Sequence, residues 1–387
     1  MLFAGCAAGR AKLTSRVEIL LAASDEGRLR SLLDRLQLVE HVGGRIVAAA
    51  GEERFPRLAL AAWGSTVAAR TRGEVQAVVQ FAALERLARA GIRAAPIKGP
   101  DLALRVYGDL GLRPCADVDI VVDPERLDDA VAVLRTLGYE GPPAGSPWLT
   151  DLHRGLAHPL AAMPALEVHW RTEWYSANAS SGGLARTALQ RAVPDGRGRR
   201  LRFRPADELA LLLLVYARDG MPGLRLPADI AAWWDRYGRE LQLGALQDIV
   251  DADPRLAVPL ATAAATCGGL VGLPSQRLLD LGPARTSRGR LARSLASPFL
   301  DERRKHSAAP LVDGLLGGRT ALATFVRRRL LLSTGRVNAM YERPRSPGGR
   351  ARVRILQAQH PIRQLVYFVG HVGSRPPRPP DVEWGWD

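Results

Sequence analysis

Lysine is almost missing from this chain. Lys12, Lys98 and Lys305 are the only three, so the formal net charge of +15 is carried almost wholly by arginine. Rich in arginine, alanine and glycine, the composition fits a high-GC coding bias as well as it fits a need for anionic partners. A basic surface favours nucleic acid, nucleotides or acidic lipid headgroups without choosing among them. Cysteine is scarce too. Cys6, Cys115 and Cys267 are odd in number and far apart, which excludes a disulfide framework and zinc-ligand spacing and favours a reducing cytoplasm. No apolar run approaches the roughly 18 to 20 residues of a membrane span. The longest, Leu209 to Ala217, is a core-helix candidate. The opening MLFAGC, Met1 to Cys6, ends like a lipoprotein cleavage box but lacks a basic n-region and a long apolar stretch, so a cytoplasmic protein is expected. There is no GxxxxGK[ST] loop, since Lys98-Gly99 has the wrong order, and no GxSxG elbow.

What is present suffices for a sizeable core. The 387 residues are 47% hydrophobic, which suggests about two domains. Residues 1–90 read as an N-terminal helical region. Ile19, Leu20, Leu29, Leu32, Leu33 and Leu36 recur at helical spacing, as do Val75, Val78, Val79, Ala82, Leu84 and Leu87, until Gly91 ends the pattern. Residues 91–200 change to strands alternating with helices: a strand at 92–97, a helix opened by Pro100, a loop over 108–114, a strand at 118–122, and a helix from Pro124 stopped by Gly138. The stretches 156–161 and 165–170 are expected to pair as a hairpin. Residues 201–340 are helical again, and 341–387 form a basic Pro/Gly/Arg-rich tail. The fold class expected is α+β.

The informative segment is Ile97 to Val122, IKGPDLALRVYGDLGLRPCADVDIVV. Asp117 and Asp119 stand two apart on a strand, so both carboxylates share one face while Val118, Ile120 and Val122 face the core. Carboxylates this close repel unless a cation sits between them. Mg2+ takes hard oxygen ligands from one or two carboxylates plus substrate phosphates, and two ions together can clamp an in-line displacement. Upstream, Lys98-Gly99 turns into a helix whose free amides, near 99–102, suit phosphate. In ALEVHWR, Glu167 and His169 alternate with Leu166, Val168 and Trp170, making Glu167 the best third carboxylate; Asp123, Glu140 and Asp151 are weaker choices. His169 is either a phosphate- or base-orienting donor or a structural histidine. Arg113 either grips a triphosphate bidentately or salt-bridges the aspartates.

These residues resemble the bacterial uncharacterised nucleotidyltransferase family of the DNA polymerase β superfamily. Lys98, Gly99, Tyr107, Arg113, Pro114, Asp117 and Asp119 follow that family's order, Glu167, His169 and Trp170 match its later carboxylate-x-His-Trp, and PERLDDAVAVLRTLGYE lies between. The likeness is good over about residues 90 to 172 and loose outside them. Arg225, Leu226 and Asp229 resemble a motif of its helical segment, with Tyr216 in the place of a frequent histidine. The resemblance implies a small mixed sheet with helices, closed by a helical domain. It also implies transfer of a nucleoside monophosphate from an NTP such as ATP to an acceptor hydroxyl, with pyrophosphate release. Asp117, Asp119 and Glu167 would be catalytic and hold two Mg2+, with Mn2+ as an alternative ion; Lys98, Gly99, Arg113 and His169 would contact the nucleotide. The usual serine after the turn glycine is Pro100 here, which removes a hydroxyl and an amide. Acceptor, base preference and oligomeric state are not readable.

Two other readings stay open. The chain is a catalytically silent homologue that binds a nucleotide or a partner, or it is a basic adaptor for nucleic acid or a membrane surface, using Arg327, Arg328 and Arg329 and the tail. Trp233, Trp234 and Tyr237 either stack a base or pack a helix.

Overall fold

The computed structural model describes residues 24–141, 152–172, 183–196, 198–275 and 287–295, with positions 278, 312, 314–317 and 323. The chain divides into two compact units, Met1–Leu322 and Ala323–Asp387; every described position except 323 belongs to the first. The expectations placed on Met1 to Cys6, Asp151, Arg327 to Arg329 and the tail lie outside the described residues.

Helix α1 (Glu26–Leu36) starts where the Asp25 carboxylate accepts from the Arg28 amide, and it ends at Gln37 in the left-handed region. A π-turn at Val39–Gly43 leads into α2 (Gly44–Ala50). Pro56 then opens α3 (Pro56–Arg89), 34 residues long. Gly91, at φ +69°, lets the chain leave the helix. The buried face of α3 keeps Val79, Leu84 and Leu87 of the expected set but not Val75 and Val78. Val75 and Val78 are exposed, and the inner positions are Gln76, Val79, Gln80, Ala83, Leu84 and Leu87. The two glutamines are accepted inside because each bonds backbone: Gln76 Nε2 donates to Cys115 O at 2.8 Å, and Gln80 Oε1 accepts from the Asp101 amide at 3.2 Å.

Four strands follow: β1 (Ala94–Pro96), β2 (Asp117–Val122), β3 (His153–Leu156) and β4 (Ala165–His169). Their order is β1-β2-β4-β3. β2 and β4 are parallel, and both edges are antiparallel. This small mixed sheet amid many helices is the α+β architecture. The hairpin forms, but its first arm is 153–156 rather than 156–161. Ala157 only bridges Glu140.

Between β1 and β2, α4 (Gly99–Leu102) widens into a π-turn ending at Tyr107, and a 3₁₀ turn at Leu110–Leu112 occupies the expected loop. Between β2 and β3, a 3₁₀ turn capped by Asp123 precedes α5 (Leu127–Arg135). The sheet's period-2 alternation decides which face meets which core. Val118, Ile120, Val122, Leu166 and Val168 join α3 and α5 in one apolar cluster, while Val121 turns toward the other. Full burial of each such side chain is worth about 1.5–3 kcal/mol. A one-residue slip of β2 would exchange Ile120 for Asp119 in that core, so the register is firmly set.

The second cluster is helical. α6 (Gly183–Arg191), a two-stranded ribbon of β5 (Val193–Pro194) and β6 (Leu201–Arg202), α7 (Pro205–Arg218), α8 (Arg225–Tyr237), α9 (Leu243–Ala252) and α10 (Ala257–Val271) follow in order. α11 (Ser287–Leu295) lies beyond them. Every α7 side chain from Ala206 to Arg218 is buried. Among the described residues no helix is long and apolar enough to cross a membrane.

Candidate functional site

Alternation puts Asp117 and Asp119 on the β2 face opposite the sheet core. The parallel register sets Glu167 of β4 directly beside Asp119. One oxygen from each of Asp117, Asp119 and Glu167 lies within 4.8 Å of the others, a group that could hold a metal ion. Asp119 is fully buried. Its Oδ1 faces Lys98 Nζ at 3.1 Å and His169 Nε2 at 2.8 Å, whereas Oδ2 has no hydrogen-bond partner. Buried polar atoms are nearly always paired, so an orphaned carboxylate oxygen among three carboxylates is what a hard cation would satisfy.

The charges act on one another. The Asp119 carboxylate close by, and then burial, push the Asp117 carboxyl up to about 6. Asp119 itself lies below the usual range, because Lys98 and His169 outweigh the burial that would raise it. Burial alone would lower Lys98; the fields of Asp119, Asp117 and Glu167 hold it above its ordinary value. Burial would likewise lower His169, but its hydrogen bonds to Asp119 and Glu167 raise it. Glu167 is held down against burial by His169 and by the charge of His153. His153 falls to about 4, through burial and then the positive charge of His169.

Lys98, Gly99 and His169 are thus beside the carboxylates. Gly99 sits at φ +72°, and a Cβ there would lie 3.9 Å from Asp117 O, so the turn rests on the start of β2. The expected row of free amides is thinner than anticipated: Pro100 has none, and the Asp101 amide is donated to Gln80. Arg113 neither bridges the strand aspartates nor projects freely. It is 7% exposed, and its Nε and Nη2 donate to Asp229 of α8 at 2.9 Å, where Tyr107 Oη also donates at 2.8 Å. Tyr216 is fully buried in the helical core. Trp233 packs there as well, its Nε1 donating to Glu208 Oε2 at 2.8 Å. Of the weaker third-ligand choices, Asp123 caps the turn before α5 and Glu140 pairs with Ala157.

Two residues of the site carry no obvious sequence signal. His153, across the hairpin from His169, has its Nε2 3.5 Å from Glu167 Oε1. Arg218 ends α7, 8% exposed, with its Nε donating to Asp219. Burial alone would lower its pKa, but Asp219, then Asp119 and Glu167, hold it above the ordinary value. An arginine closing a run of apolar residues was the available hint.

A family model described as uncharacterised nucleotidyltransferase matches residues 22–270, more than half of the chain. Neither the curated proteins nor the solved structures contain a match. The matched span takes in all four strands of the sheet and α7 and α8, and the chain therefore belongs to the uncharacterised nucleotidyltransferase family.

Proposed function

We propose that this chain moves a nucleoside monophosphate from an NTP to an acceptor hydroxyl and releases pyrophosphate. Asp117, Asp119 and Glu167 would hold two Mg2+, with Mn2+ able to replace them. The orphaned Asp119 Oδ2 inside the three-carboxylate cluster carries the reading. Bound there, the ions would neutralise the phosphates and lower the pKa of the acceptor hydroxyl.

The chain's own residues position and balance charge, which is most of what phosphoryl-type transfer needs. Lys98 is a compact cation on the turn before α4, 3.1 Å from Asp119. With cations held by the three carboxylates, Lys98 would be available to the triphosphate. The Gly99 turn brings backbone amide close to the same point. His169 fixes the Asp119 carboxylate through its 2.8 Å contact. Arg218 adds a buried positive charge on the side of α7. Arg113 acts at one remove, holding the loop that leads into β2 against Asp229.

A screen of the four labelled NTPs with Mg2+ and cell extract tests the proposal. Label transfer and pyrophosphate release should both require Mg2+, and Asp117→Asn combined with Asp119→Asn should abolish both without unfolding the chain. Turnover unchanged in that double variant would refute the assignment. One observation favours a second reading, nucleotide binding without turnover. Pro100 and the Gln80-bound Asp101 amide reduce the donors available to a phosphate. Nucleotide and metal binding of normal affinity, with no label transferred to any extract component, would favour it.

A further inference from the structure

Beside the carboxylates, the sheet presents a pair of imidazoles. His153 and His169 are opposite one another in the β3–β4 register, with rings 4.9 Å apart. Glu167 reaches both. Its Oε1 is 3.5 Å from His153 Nε2 and its Oε2 is 3.2 Å from His169 Nε2. One ligand atom from each of the three lies within 4.8 Å of the other two. His169 is only 2% exposed, so its orientation is set by packing rather than by solvent.

Donor chemistry separates this trio from the neighbouring one. Mg2+ seeks oxygen and keeps much of its water. Two imidazole nitrogens with one carboxylate suit Zn2+ and similar transition ions, often with a further position open. We propose that His153, Glu167 and His169 form a second metal site, adjoining the aspartate pair, that takes a zinc-like divalent transition ion. On binding, the ion takes the place of the proton on His169 Nε2, and that proton passes to solvent. With no nucleotide and no ion on the aspartate pair, Asp119 Oδ1 then keeps Lys98 as its partner. Glu167 is common to both trios, so it either bridges two ions or is contested between them. The site goes beyond nucleotidyl transfer and does not require it.

The competing account is that the two histidines only hydrogen-bond the carboxylates. The test is equilibrium dialysis of the metal-stripped full chain against ZnCl2 alone, without nucleotide, backed by the visible spectrum with Co2+. One equivalent of Zn2+ should bind to the wild type and to Asp117→Asn. His153→Ala should weaken binding at least about tenfold and alter the Co2+ spectrum by the loss of one of its two nitrogen ligands. If alanine unfolds the chain, His153→Gln takes its place. Three outcomes overturn the proposal. They are no uptake by the wild type, weakening by Asp117→Asn alone, and equal weakening by both variants, since a single ion in the aspartate cluster explains the last two. Because no nucleotide is present, failure of the transferase reading leaves each of these results interpretable.

Discussion

Two buried polar clusters sit at either end of one short loop, and they are built on opposite principles. At the start of the loop, Arg113 and Tyr107 close on Asp229, while Arg105 bonds Glu208 and Asp101, and Glu208 also takes the Trp233 indole. Each charge there has an opposite charge, and none of those residues has an orphaned side-chain atom among the described contacts. Four residues on, the β2 aspartates crowd one another, and Asp119 Oδ2 and His169 Nδ1 have no partner. Both clusters are buried, and both perturb the ionisation of their members. Perturbation alone therefore does not single out the site. An orphaned oxygen amid three clustered carboxylates does. The satisfied cluster ties α8 and α7 to the segment that feeds β2, and the unsatisfied one leaves an oxygen that a cation could satisfy.

That contrast predicts opposite failures. Asp119→Asn should cut turnover on the order of 10³-fold or more, the scale of removing a principal electrostatic element, with a smaller stability loss than Asp229→Ala, because Lys98 still has Asp117 and Glu167 as counter-charges. The asparagine oxygen still accepts from His169, and Asp117 loses its repulsive neighbour. Asp229→Ala should do the reverse. It strands the buried Arg113 guanidinium and should cost about 3–5 kcal/mol in denaturant unfolding. Equal stability losses in the two variants would erase the distinction.

The next effect separates two residues within the open cluster by pH. Asp117 titrates near 6 in the folded chain against an ordinary 3.8. Between those values the folded state holds the extra proton, so this group makes stability fall as pH rises. His153 titrates near 4 against an ordinary 6.5. There the unfolded state holds the extra proton, so stability rises with pH over an overlapping window. The two contributions oppose, each about 3 kcal/mol across its full window. Wild-type melting without metal should thus be nearly flat from about pH 4 to 6. Asp117→Asn should unmask the rise, and His153→Ala the fall. Added Mg2+ should abolish that fall by holding Asp117 ionised.

Local periodicity made half of this legible. The Asp117–Asp119 face and the apolar Val118–Ile120–Val122 face follow from alternation within six residues. Glu167 needed one further assumption, that β4 lies beside β2, and the ALEVHWR alternation made it reasonable. Contacts made across long stretches of sequence were not readable. Arg113 meets Asp229 across 116 positions, and nothing in the loop's pattern distinguishes that partner from the adjacent aspartates. His153 was missed because its strand, HRGL, contains a glycine and no β-branched residue, so it lacks strand propensity. It forms because β4 offers an edge and Leu156 a place in the core. The inner face of α3 is only partly legible for a related reason. Two glutamines occupy its inner face, and a hydrophobicity pattern scores them as outward.

Those glutamines provide the smallest test, since they belong to neither extreme. Each has one satisfied end and one orphan: Gln76 Nε2 holds Cys115 O while its Oε1 is unpaired, and Gln80 Oε1 holds the Asp101 amide while its Nε2 is unpaired. Replacing either by leucine strips a partner from backbone, which costs about 1–3 kcal/mol, and also removes a buried orphan, which returns part of that. A net loss of about 1 kcal/mol is expected for Gln76→Leu and for Gln80→Leu in urea unfolding. The two should differ in function. Gln80 Nε2 is the side-chain atom nearest to a Cβ built at Gly99, at 3.6 Å. Gln80→Leu should therefore also raise KM for the triphosphate several-fold with kcat nearly constant, and Gln76→Leu should leave KM unchanged. Identical kinetics in the two variants would place Gln80 with the satisfied structural cluster rather than with the open one.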